Sequence, residues 1–319
     1  MNNLAKHYIG LDVGGSSIKF GIFTAEGTIV YSSSIETMSQ SSSQIVLERI
    51  SLAIEECLNY SKHHNLSVTA IGIGIPGVVL TSGIVVTAPN FKDFTNIDIQ
   101  SFCESKFPYP IFVDNDATVA GLAEAFVGSG KSKKSFLFVT LGTGVGGCII
   151  SNGSVFRGES NGAGEIGHII VYPDAEISSE KPLFRKGVLE EFIGREGILN
   201  YAKSSLERFP KSYLTKKVCF DVSDISYGSN NLKCPHCLHI IGYVGKLLGI
   251  ALSTALNILD IHTVIIGGGI AQLGDVLFYT IQKTCKERCL PSIAQHLQIL
   301  PATFSNDSGI VGAAYLAKQ

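Results

Sequence analysis

Three glycine-rich turns in the sequence suit the binding of a nucleotide, and two of them combine residue types that suit phosphate groups. The first turn runs from Asp12 to Lys19, and its small residues are Gly14, Gly15, Ser16 and Ser17. Glycines let backbone N–H groups approach phosphate oxygens, the hydroxyls and Lys19 add donors and charge, and Asp12 can hold magnesium through water. The same residues are compatible with a tight β-hairpin that a buried aspartate closes.

The second turn contains Gly142, Thr143 and Gly144, and the third contains Gly268 and Gly269. Strands are predicted after the first two turns, which distinguishes them from the Walker sequence and from the dinucleotide fingerprint, where a helix follows. Two phosphate-binding turns suit a triphosphate, because phosphoryl transfer depends on positioning and on neutralising charge. The third turn precedes a predicted helix, so it either faces an adenosine or is a packed strand-to-helix turn.

Phosphoryl transfer to a hydroxyl also needs a group that accepts the hydroxyl proton. Asp116 follows a predicted strand at residues 111–113 and precedes an alanine-rich helix predicted over residues 117–127. Asn115 adds an amide beside it. Because aspartate is also common as a helix N-cap, the residue has two interpretations, a general base and a helix cap.

The elements that would position these residues follow from hydrophobic periodicity. Predicted strands cover residues 8–13, 18–24, 29–35, 68–75, 111–113, 136–141, 263–266 and 298–304, and predicted helices cover 44–60, 98–106, 117–127, 247–260 and the segment from 308. The segments 9–20 and 139–150 resemble each other, since both run from a buried strand through glycines into another strand. The repeat predicts an α/β fold with two similar lobes facing a cleft, residues 1–118 plus 305–319 and residues 119–304. Residues 203–232 are predicted to be a peripheral insertion.

Composition excludes several classes of function. The chain has 319 residues with 45% hydrophobic content, 25 Lys and Arg and 27 Asp and Glu. A large core is expected, and nucleic acid is not an expected partner because no long basic block is present. The N-terminus lacks a signal-peptide pattern and no stretch reaches about 18 uninterrupted apolar residues, so we expect a cytoplasmic protein without a membrane span.

Eight cysteines are scattered along the chain, and free thiols are the expected state in a reducing compartment. The segment Cys234-Pro-His236-Cys237-Leu-His239 has ligand types and spacing that could hold zinc. No second cysteine pair lies nearby, so metal binding by this segment stays open.

Taken together, these motifs resemble the ROK family of bacterial sugar kinases and sugar-responsive repressors, within the actin-like, hexokinase-like ATPase superfamily. The resemblance covers nearly the whole chain and also includes Ile75-Pro76-Gly77, Ala88-Pro89-Asn90, Asp114-Asn115-Asp116-Ala117 and the run from Gly162 to His168. It implies two similar actin-like (ribonuclease H-like) lobes, each a mixed sheet flanked by helices. It also implies ATP and Mg²⁺ as cofactors, a small-molecule sugar as partner and a homodimer.

The resemblance implies roles for individual residues. Asp116 would be the catalytic base, and the sugar would contact Gly77, Asn90, Asn115, Asp116, Glu165, His168 and Glu190. The nucleotide would contact Asp12, Gly14, Gly15, Ser16, Ser17, Lys19, Gly142, Thr143, Gly144, Gly268 and Gly269. Carboxylates and amides at fixed positions can orient the several hydroxyls of a hexose. Glucose at its 6-hydroxyl is the expected acceptor, and N-acetylmannosamine, N-acetylglucosamine, fructose and β-glucosides are alternatives.

Two non-enzymatic functions are compatible with the family. A sugar-sensing repressor would carry a helix-turn-helix domain of about 80 residues before this core. The first phosphate motif begins here at Asp12, which disfavours that function. A sugar-binding pseudokinase is disfavoured because Asp12, both glycine turns and Asp116 are present.

The sequence departs from its family in the loop after His168. The family usually has three cysteines there that bind structural zinc with the histidine, but residues 169–190 contain none, and Val188 stands where the last thiolate would be. Burial of Leu183, Phe184 and Val188 would order this loop instead, with about 1.5–3 kcal/mol from each fully buried side chain.

We therefore expect the purified protein to lack the zinc that is usual in the family, because His168 alone cannot supply a tetrahedral site. Elemental analysis after dialysis measures this directly. One tightly bound zinc per chain would contradict the expectation.

Overall fold

The protein alternates short strands and helices along the chain, in a computed structural model that describes residues 5–88, 90–173, 185–304 and 307–318. The strands are β1 (Lys6–Val13), β2 (Ser17–Thr24), β3 (Ile29–Glu36), β4 (Ser67–Ile75), β5 (Val78–Val79), β6 (Ile84–Thr87), β7 (Thr95–Asp98), β8 (Ile111–Asn115), β9 (Phe136–Leu141), β10 (Val145–Ser151), β11 (Ser154–Val155), β12 (Thr263–Gly267) and β13 (Gln298–Pro301). The α-helices are α1 (Ser43–His63), α2 (Ile99–Glu104), α3 (Asp116–Phe126), α4 (Leu189–Ile193), α5 (Arg195–Ser205), α6 (Val222–Asn230), α7 (Pro235–Leu259), α8 (Asp275–Arg288), α9 (Pro291–Ala294) and α10 (Ser308–Leu316).

Two five-stranded mixed sheets have the same strand order along the chain, β3-β2-β1-β4-β8 and β11-β10-β9-β12-β13. In the first sheet β1 pairs antiparallel with β2 and parallel with β4, which pairs parallel with β8. In the second sheet β12 pairs parallel with both β9 and β13. A three-stranded sheet of β5, β6 and β7 completes the described topology. The predicted α/β fold built on a repeated unit is confirmed.

The chain forms two compact units. The first contains the described residues within Met1–Ser132, Cys148–Ala163 and Asn306–Gln319, and the second those within Lys133–Gly147 and Gly164–Ser305. The sequence-based boundary between residues 118 and 119 lies inside α3. That helix belongs as a whole to the first unit, because it packs against α10, β4 and β8.

The core of the first unit lies between its sheet and the surrounding helices. The predicted helix α1 buries one face, on which Ile50 and Ile54 are fully inaccessible. Phe20 of β2 and Phe94, which follows β6, are also buried. Removing each such side chain from water contributes about 1.5–3 kcal/mol, so this core fixes the sheet that carries the first glycine turn.

Glycines allow α10 to approach this sheet at backbone distance. A Cβ at Gly72 of β4 would clash with the carbonyl of Ala313, and a Cβ at Gly312 would clash with the carbonyl of Val119 in α3. The close approach leaves no room for a side chain at either position. Helix α10 is therefore seated directly on β1, β4 and α3.

The C-terminal half differs from prediction in two places. Helix α7 begins at Pro235 rather than at residue 247, and Gly245 and Gly249 do not break it because they face α8 at close range. A Cβ at Gly249 would lie 2.6 Å from the Cβ of Thr284. The peripheral insertion predicted for residues 203–232 is wrong, since this region contains α6 and packs against α7 and the segment after β12.

In the described part of the chain, one helix is long and apolar enough to cross a membrane, α7. Its apolar residues are mostly buried inside the protein, where Ile240, Val244, Leu248 and Leu252 are fully inaccessible. Helices α4, α5, α6 and α8 contact it. This packing is that of a core helix.

The close approach of α10 predicts the effect of a single methyl group. Gly312→Ala should lower the free energy of unfolding by about 1–3 kcal/mol or more, because the new Cβ displaces the backbone of α3. Gly242→Ala is the matched control, a helical glycine in α7 with open space around it, and should raise stability by about 0.5–1 kcal/mol. Urea unfolding of both variants measures the difference. Equal effects of the two substitutions would contradict the packing argument.

Candidate active site

The carboxyl ends of three parallel strands bring two of the predicted motifs to one edge of the first sheet. Asp12 of β1 is in register with Gly74 of β4, which is in register with Asp114 of β8. Neighbouring strands are about 4.8 Å apart, so Asp12 and Asp114 are separated by about 10 Å across this edge. The first glycine turn and the Asp114–Asp116 motif are therefore neighbours within the first unit.

Asn115 determines how α3 begins. Its side-chain oxygen accepts hydrogen bonds from the N–H groups of Ala117 and Thr118, at 2.9 and 3.1 Å. Its Nδ2 donates to the carbonyl of Gly77 at 2.9 Å. Asn115 is thus the N-cap, and Asp116 occupies the first helical position. The interpretation of Asp116 as the cap is corrected, because the preceding residue takes that role.

Gly77 has a backbone reason to be glycine. Its φ is +114°, and a Cβ there would clash with the carbonyl of Thr87. Its own carbonyl is the acceptor for Asn115. This hydrogen bond links the loop after β4 to the start of α3.

Asn90, predicted for the same sugar-binding set, is exposed, and its carbonyl accepts from Gln40 at 3.3 Å. Pro89 lies outside the described residues.

The first glycine turn is held from below by a residue that the sequence analysis missed. Thr37, just after β3, is fully buried, and its hydroxyl donates to the carbonyl of Gly14 at 2.6 Å. Its N–H donates to the carbonyl of Ser16 at 3.1 Å. Gly15 has open space where a Cβ would be, and Gly15 and Ser16 are exposed. The outer part of this turn is accessible to a ligand, whereas the N–H of Gly14 already bonds Ser17.

Asp12 carries a carboxylate in a confined position. Burial raises the pKa of Asp12, and the charge of Lys19, its partner across the β1–β2 hairpin, opposes the rise. A Cβ at Gly309, in the first turn of α10, would lie within contact distance of this carboxyl. A nearby cation would favour the ionised form of such a group. Asp12 therefore has the donor type and the electrostatic need that suit a divalent metal.

A partly buried ion pair supports the Asp114–Asp116 motif. Arg157, after β11, contacts Asp114 with 2.7 Å between Nη1 and Oδ2, and the other carboxylate oxygen accepts from the N–H of Asn115 at 2.8 Å. Burial raises the pKa of Asp114, and Arg157 opposes this rise. Arg157 was not predicted as a site residue. No pattern in the sequence around Arg157 indicated that it belongs to the site.

The second glycine turn is braced by Glu190, a predicted sugar residue. Its Oε2 accepts from the N–H of Val145 at 3.0 Å, and a Cβ at Gly144 would clash with this carboxylate. The N–H of Arg195 donates to the carbonyls of Gly142 and Thr143, at 3.1 and 3.2 Å. The α4–α5 segment thus fixes the turn. Gly142 itself has open space around the position of a Cβ.

The segment with Glu165 and His168 packs against the same turn. A 3₁₀ helix covers Ile166–His168, and a Cβ at Gly167 would clash with the carbonyl of Val145. The N–H of His168 bonds the carbonyl of Glu165 at 3.1 Å, and the Glu165 side chain is exposed. Glu165, His168 and Glu190 therefore all lie around the start of β10 in the second unit.

The third turn lies beside the second because β12 and β9 are parallel neighbours. Gly268 has φ +84°, and a Cβ there would clash with the carbonyl of Leu141. Gly269 has open space instead. Gly142, Thr143 and Gly269 line a pocket of about 390 Å³ in the second unit, whose other lining residues are Arg195, Asp221, Val222, Ser223, Ser226, Ile270, Gln272 and Leu273. A pocket of this size suits a small-molecule ligand.

One charged residue that lines this pocket, Asp221, lies in the region wrongly predicted to be an insertion. Arg195 forms a two-point contact with Asp221, with Nε–Oδ1 3.1 Å and Nη2–Oδ2 2.8 Å. The hydrogen bonds of Arg195 lower the pKa of Asp221. Asp221 is also the N-cap of α6 in a capping box with Asp224. That Asp-x-x-Asp pattern was the signal in the sequence that could have identified α6.

The loop after His168 is described only in part. Val188 is 4% exposed and pairs with Ile170 in an isolated β-bridge, so an apolar side chain fills the position expected of the last thiolate. Leu183 and Phe184 lie outside the described residues. The absence of zinc stays a prediction.

The Asp114–Arg157 pair predicts a pH-dependent loss of stability. Arg157→Met should lower the free energy of unfolding by about 2–3 kcal/mol, less than for a fully buried pair because Arg157 is 30% exposed. Without Arg157 the pKa of Asp114 rises further. A carboxyl with a raised folded-state pKa stabilises the folded state as pH falls. The loss of unfolding free energy in Arg157→Met should therefore become smaller as the pH is lowered from about 8 to about 5.

Urea unfolding across this pH range measures the loss, and Asp114→Asn/Arg157→Met is the matched control, because it removes the unpaired charge. The double variant should recover part of the stability and lose the pH dependence. A double variant as unstable as Arg157→Met at every pH would contradict the ion-pair argument.

Comparison with known proteins identifies the family. The family model described as the ROK family matches residues 8–319. A glucokinase from Halalkalibacterium halodurans is 31% identical over 325 residues, covering 98% of this chain and 95% of that protein. The crystal structure of a ROK family glucokinase from Streptomyces griseus, in complex with glucose and AMPPNP, has TM-score 0.81 and 27% identity, covering 98% of this chain and 99% of that chain.

A ROK family transcriptional regulator, a homologue of the E. coli MLC protein, shares the fold with TM-score 0.90 at 24% identity, covering 99% of this chain and 78% of that chain. The actin-like two-lobe α/β fold predicted from the sequence is thereby confirmed. The described geometry and the match over residues 8–319 agree, and the chain belongs to the ROK family.

Proposed function

We propose that the protein is an ATP-dependent sugar kinase that phosphorylates a hexose, with glucose as the acceptor at its 6-hydroxyl and Asp116 as the general base. The glucokinases of Halalkalibacterium halodurans and Streptomyces griseus, at 31% and 27% identity, support a sugar kinase. The glucose and AMPPNP in the Streptomyces griseus structure support sugar and ATP as the two substrates.

The observation that carries the proposal is the shared sheet edge of Asp12 and Asp116. Asp12, the candidate metal ligand, and Asp116, the candidate base, lie two strands apart, at the carboxyl ends of β1 and β8. Active-site residues of α/β folds commonly occupy this edge. Two residues support the segment that carries Asp116. Asn115 caps α3, and Arg157 forms an ion pair with Asp114.

In the proposed reaction Asp116 accepts the proton of the sugar hydroxyl while that oxygen attacks the γ-phosphorus. The exposed N–H groups of the first turn and Lys19 bind phosphate oxygens and stabilise their charge. Asp12 would hold Mg²⁺ through water, and the ion would supply charge neutralisation at the phosphates when bound. Rigid support matters here, since small displacements of a general base lower its efficiency.

The pocket in the second unit suits the adenosine of the nucleotide. Gly142 and Thr143 would face its phosphates, while Gly269 and Ile270 would face the adenosine. Ser223, Ser226 and Gln272 offer polar groups that could recognise the base and ribose. In this proposal Arg195 and Asp221 form a wall of the site, and their two-point contact keeps that wall in place.

Glu165, His168 and Glu190 are proposed to bind the sugar. Glu190 also accepts a hydrogen bond from Val145 next to the second glycine turn. A sugar contact at this carboxylate would therefore affect the position of the phosphate-binding turn. N-acetylmannosamine, N-acetylglucosamine and fructose remain alternative acceptors. Each of these sugars would require hydrogen-bonding groups at positions different from those that suit glucose. We further propose a cytoplasmic homodimer.

A sugar-sensing repressor is the second candidate function. The regulator with TM-score 0.90 favours it at the level of fold. Turnover separates the two functions, since a sensor needs sugar binding and no phosphoryl transfer. The decisive assay couples ADP release to an optical signal with magnesium-ATP and a panel of hexoses and acetamido sugars. Turnover with one sugar supports the kinase, whereas sugar binding by calorimetry without turnover would exclude it.

Asp116→Asn should lower kcat by about 100- to 10,000-fold, because the amide cannot accept the proton. Sugar affinity should change little, as the amide keeps most of the hydrogen bonds. Asp260→Asn, an exposed aspartate at the end of α7, is the matched control and should leave kcat unchanged. The coupled assay and calorimetry measure kcat and affinity separately. Near-normal kcat in Asp116→Asn would remove this residue from the role of base.

A further inference from the structure

Two cysteines at the start of α7 have no part in the proposed reaction. Cys234 is the N-cap of the helix, and Cys237 lies in its first turn after Pro235 and His236. Both are free thiols, 6% and 0% exposed. A Cys-x-x-Cys pair at a helix N-terminus is a setting in which thiols become reactive, because N–H groups and the helix dipole favour the thiolate.

The sulfur of Cys234 is surrounded by hydrogen-bond donors. The N–H of Tyr213 lies at 3.5 Å from it and the hydroxyl of Ser212 at 3.8 Å. Burial acts to raise the pKa of Cys234, but the hydrogen-bonding groups of Cys237, Tyr213 and Ser212 outweigh burial and lower the pKa below its ordinary value. Cys234 is therefore equipped to act as a nucleophile.

Cys237 has the complementary properties. Burial raises its pKa to about 12, and the neighbouring Cys234 adds to the rise. Cys234 is therefore the more readily ionised of two thiols that lie three residues apart at the start of α7. This division suits a nucleophilic cysteine with a resolving cysteine beside it.

The histidines of the same segment are committed to other contacts. His236 is fully buried, and its two ring nitrogens lie 2.8 Å from the hydroxyls of Ser205 and Ser212. His239 pairs with the hydroxyl of Tyr201 at 2.9 Å. Within the described ranges, no group of three or more His, Cys, Asp or Glu side chains could hold a metal. A dithiol fits the segment better than a zinc site, which needs four ligands.

The dithiol lies directly behind a wall of the pocket. The N–H of Cys234 donates to the carbonyl of Gly228 in α6 at 2.9 Å, and a Cβ at Gly228 would lie 2.5 Å from the sulfur of Cys237. The N-terminal part of α6 supplies Ser223 and Ser226 to the pocket. A change at these sulfurs therefore acts on α6, and disulfide formation would alter the Cys234 sulfur that accepts from the N–H of Tyr213.

We propose that Cys234 and Cys237 form a peroxide-sensitive dithiol that closes to a disulfide and thereby weakens nucleotide binding at the pocket beside α6. In the first step the Cys234 thiolate attacks hydrogen peroxide, the O–O bond breaks, and the products are a sulfenic acid and hydroxide, which is protonated to water. In the second step the sulfur of Cys237 attacks that of Cys234. The S–OH bond breaks, and the hydroxyl leaves with the Cys237 proton as water.

The chemical step is tested on the full chain with Cys219→Ser and Cys289→Ser, which remove the more exposed thiols. The reduced protein is treated with hydrogen peroxide, the remaining thiols are alkylated, and disulfides are mapped by mass spectrometry. We expect a loss of two hydrogen atoms and one linkage between Cys234 and Cys237. Their oxidation should be at least about tenfold faster than that of the buried Cys285, whose pKa is raised to about 12.

Two variants separate the roles of the cysteines. With Cys237→Ser, Cys234 should stop at the sulfenic acid, which dimedone traps. With Cys234→Ser, Cys237 should stay reduced. A wild-type pair that remains open to alkylation, or dimedone labelling that is equal in both variants, would overturn the dithiol.

The effect on the pocket rests on the proposed function and has its own readout. Calorimetry with AMPPNP should give an affinity about tenfold weaker for the oxidised than for the reduced protein, and no change on oxidation of Cys237→Ser. Equal affinities of the two states would overturn the coupling. If the reduced protein binds no AMPPNP, the nucleotide pocket itself is wrong, while disulfide mapping still decides the dithiol.

Discussion

The parallel pairing of β1, β4 and β8 is the constraint on which the candidate site depends. It aligns the ends of three strands, so that Asp12, the loop to Gly77 and the Asp114–Asp116 motif reach one edge of one sheet. The register is maintained by burial on the faces of the sheet and by α10, whose seat requires Gly72 and Gly312. A shift of one residue would turn every side chain to the opposite face, so packing far from the chemistry fixes the motif.

Several polar side chains of the candidate site form hydrogen bonds between secondary-structure elements, in addition to any contact with a ligand. Asn115 caps α3 and bonds Gly77, while Glu190 accepts from Val145 and lies against Gly144. Each of these contacts satisfies a backbone group in a turn that would otherwise be left without a partner. Residues expected to touch a sugar thus also set the shape of the turns expected to touch phosphates. A change at one of them would alter both the position and the stability of the neighbouring turn.

Much of the fold could be predicted because its signals are local. The meander β1–β2–β3, the amphipathic helix α1 and the strand before Asp116 lie close to their predicted bounds, since periodicity and glycine-rich turns report them directly. The early start of α7 and the presence of α6 were missed. Glycines and polar residues there suggested a loop, but close helix packing and a capping box override local propensity.

The sequence by itself determined the residue types and their order: the glycine turns, the Asp114–Asp116 motif, the repeated α/β unit and the resemblance to the ROK family. These are local properties, and a short segment carries each of them. The tertiary structure alone decided that Thr37 anchors the first turn, that Arg157 neutralises Asp114 and that α6 forms a wall of the pocket. These contacts join residues far apart in the chain, and only the folded packing of strands and helices brings such groups within hydrogen-bond distance.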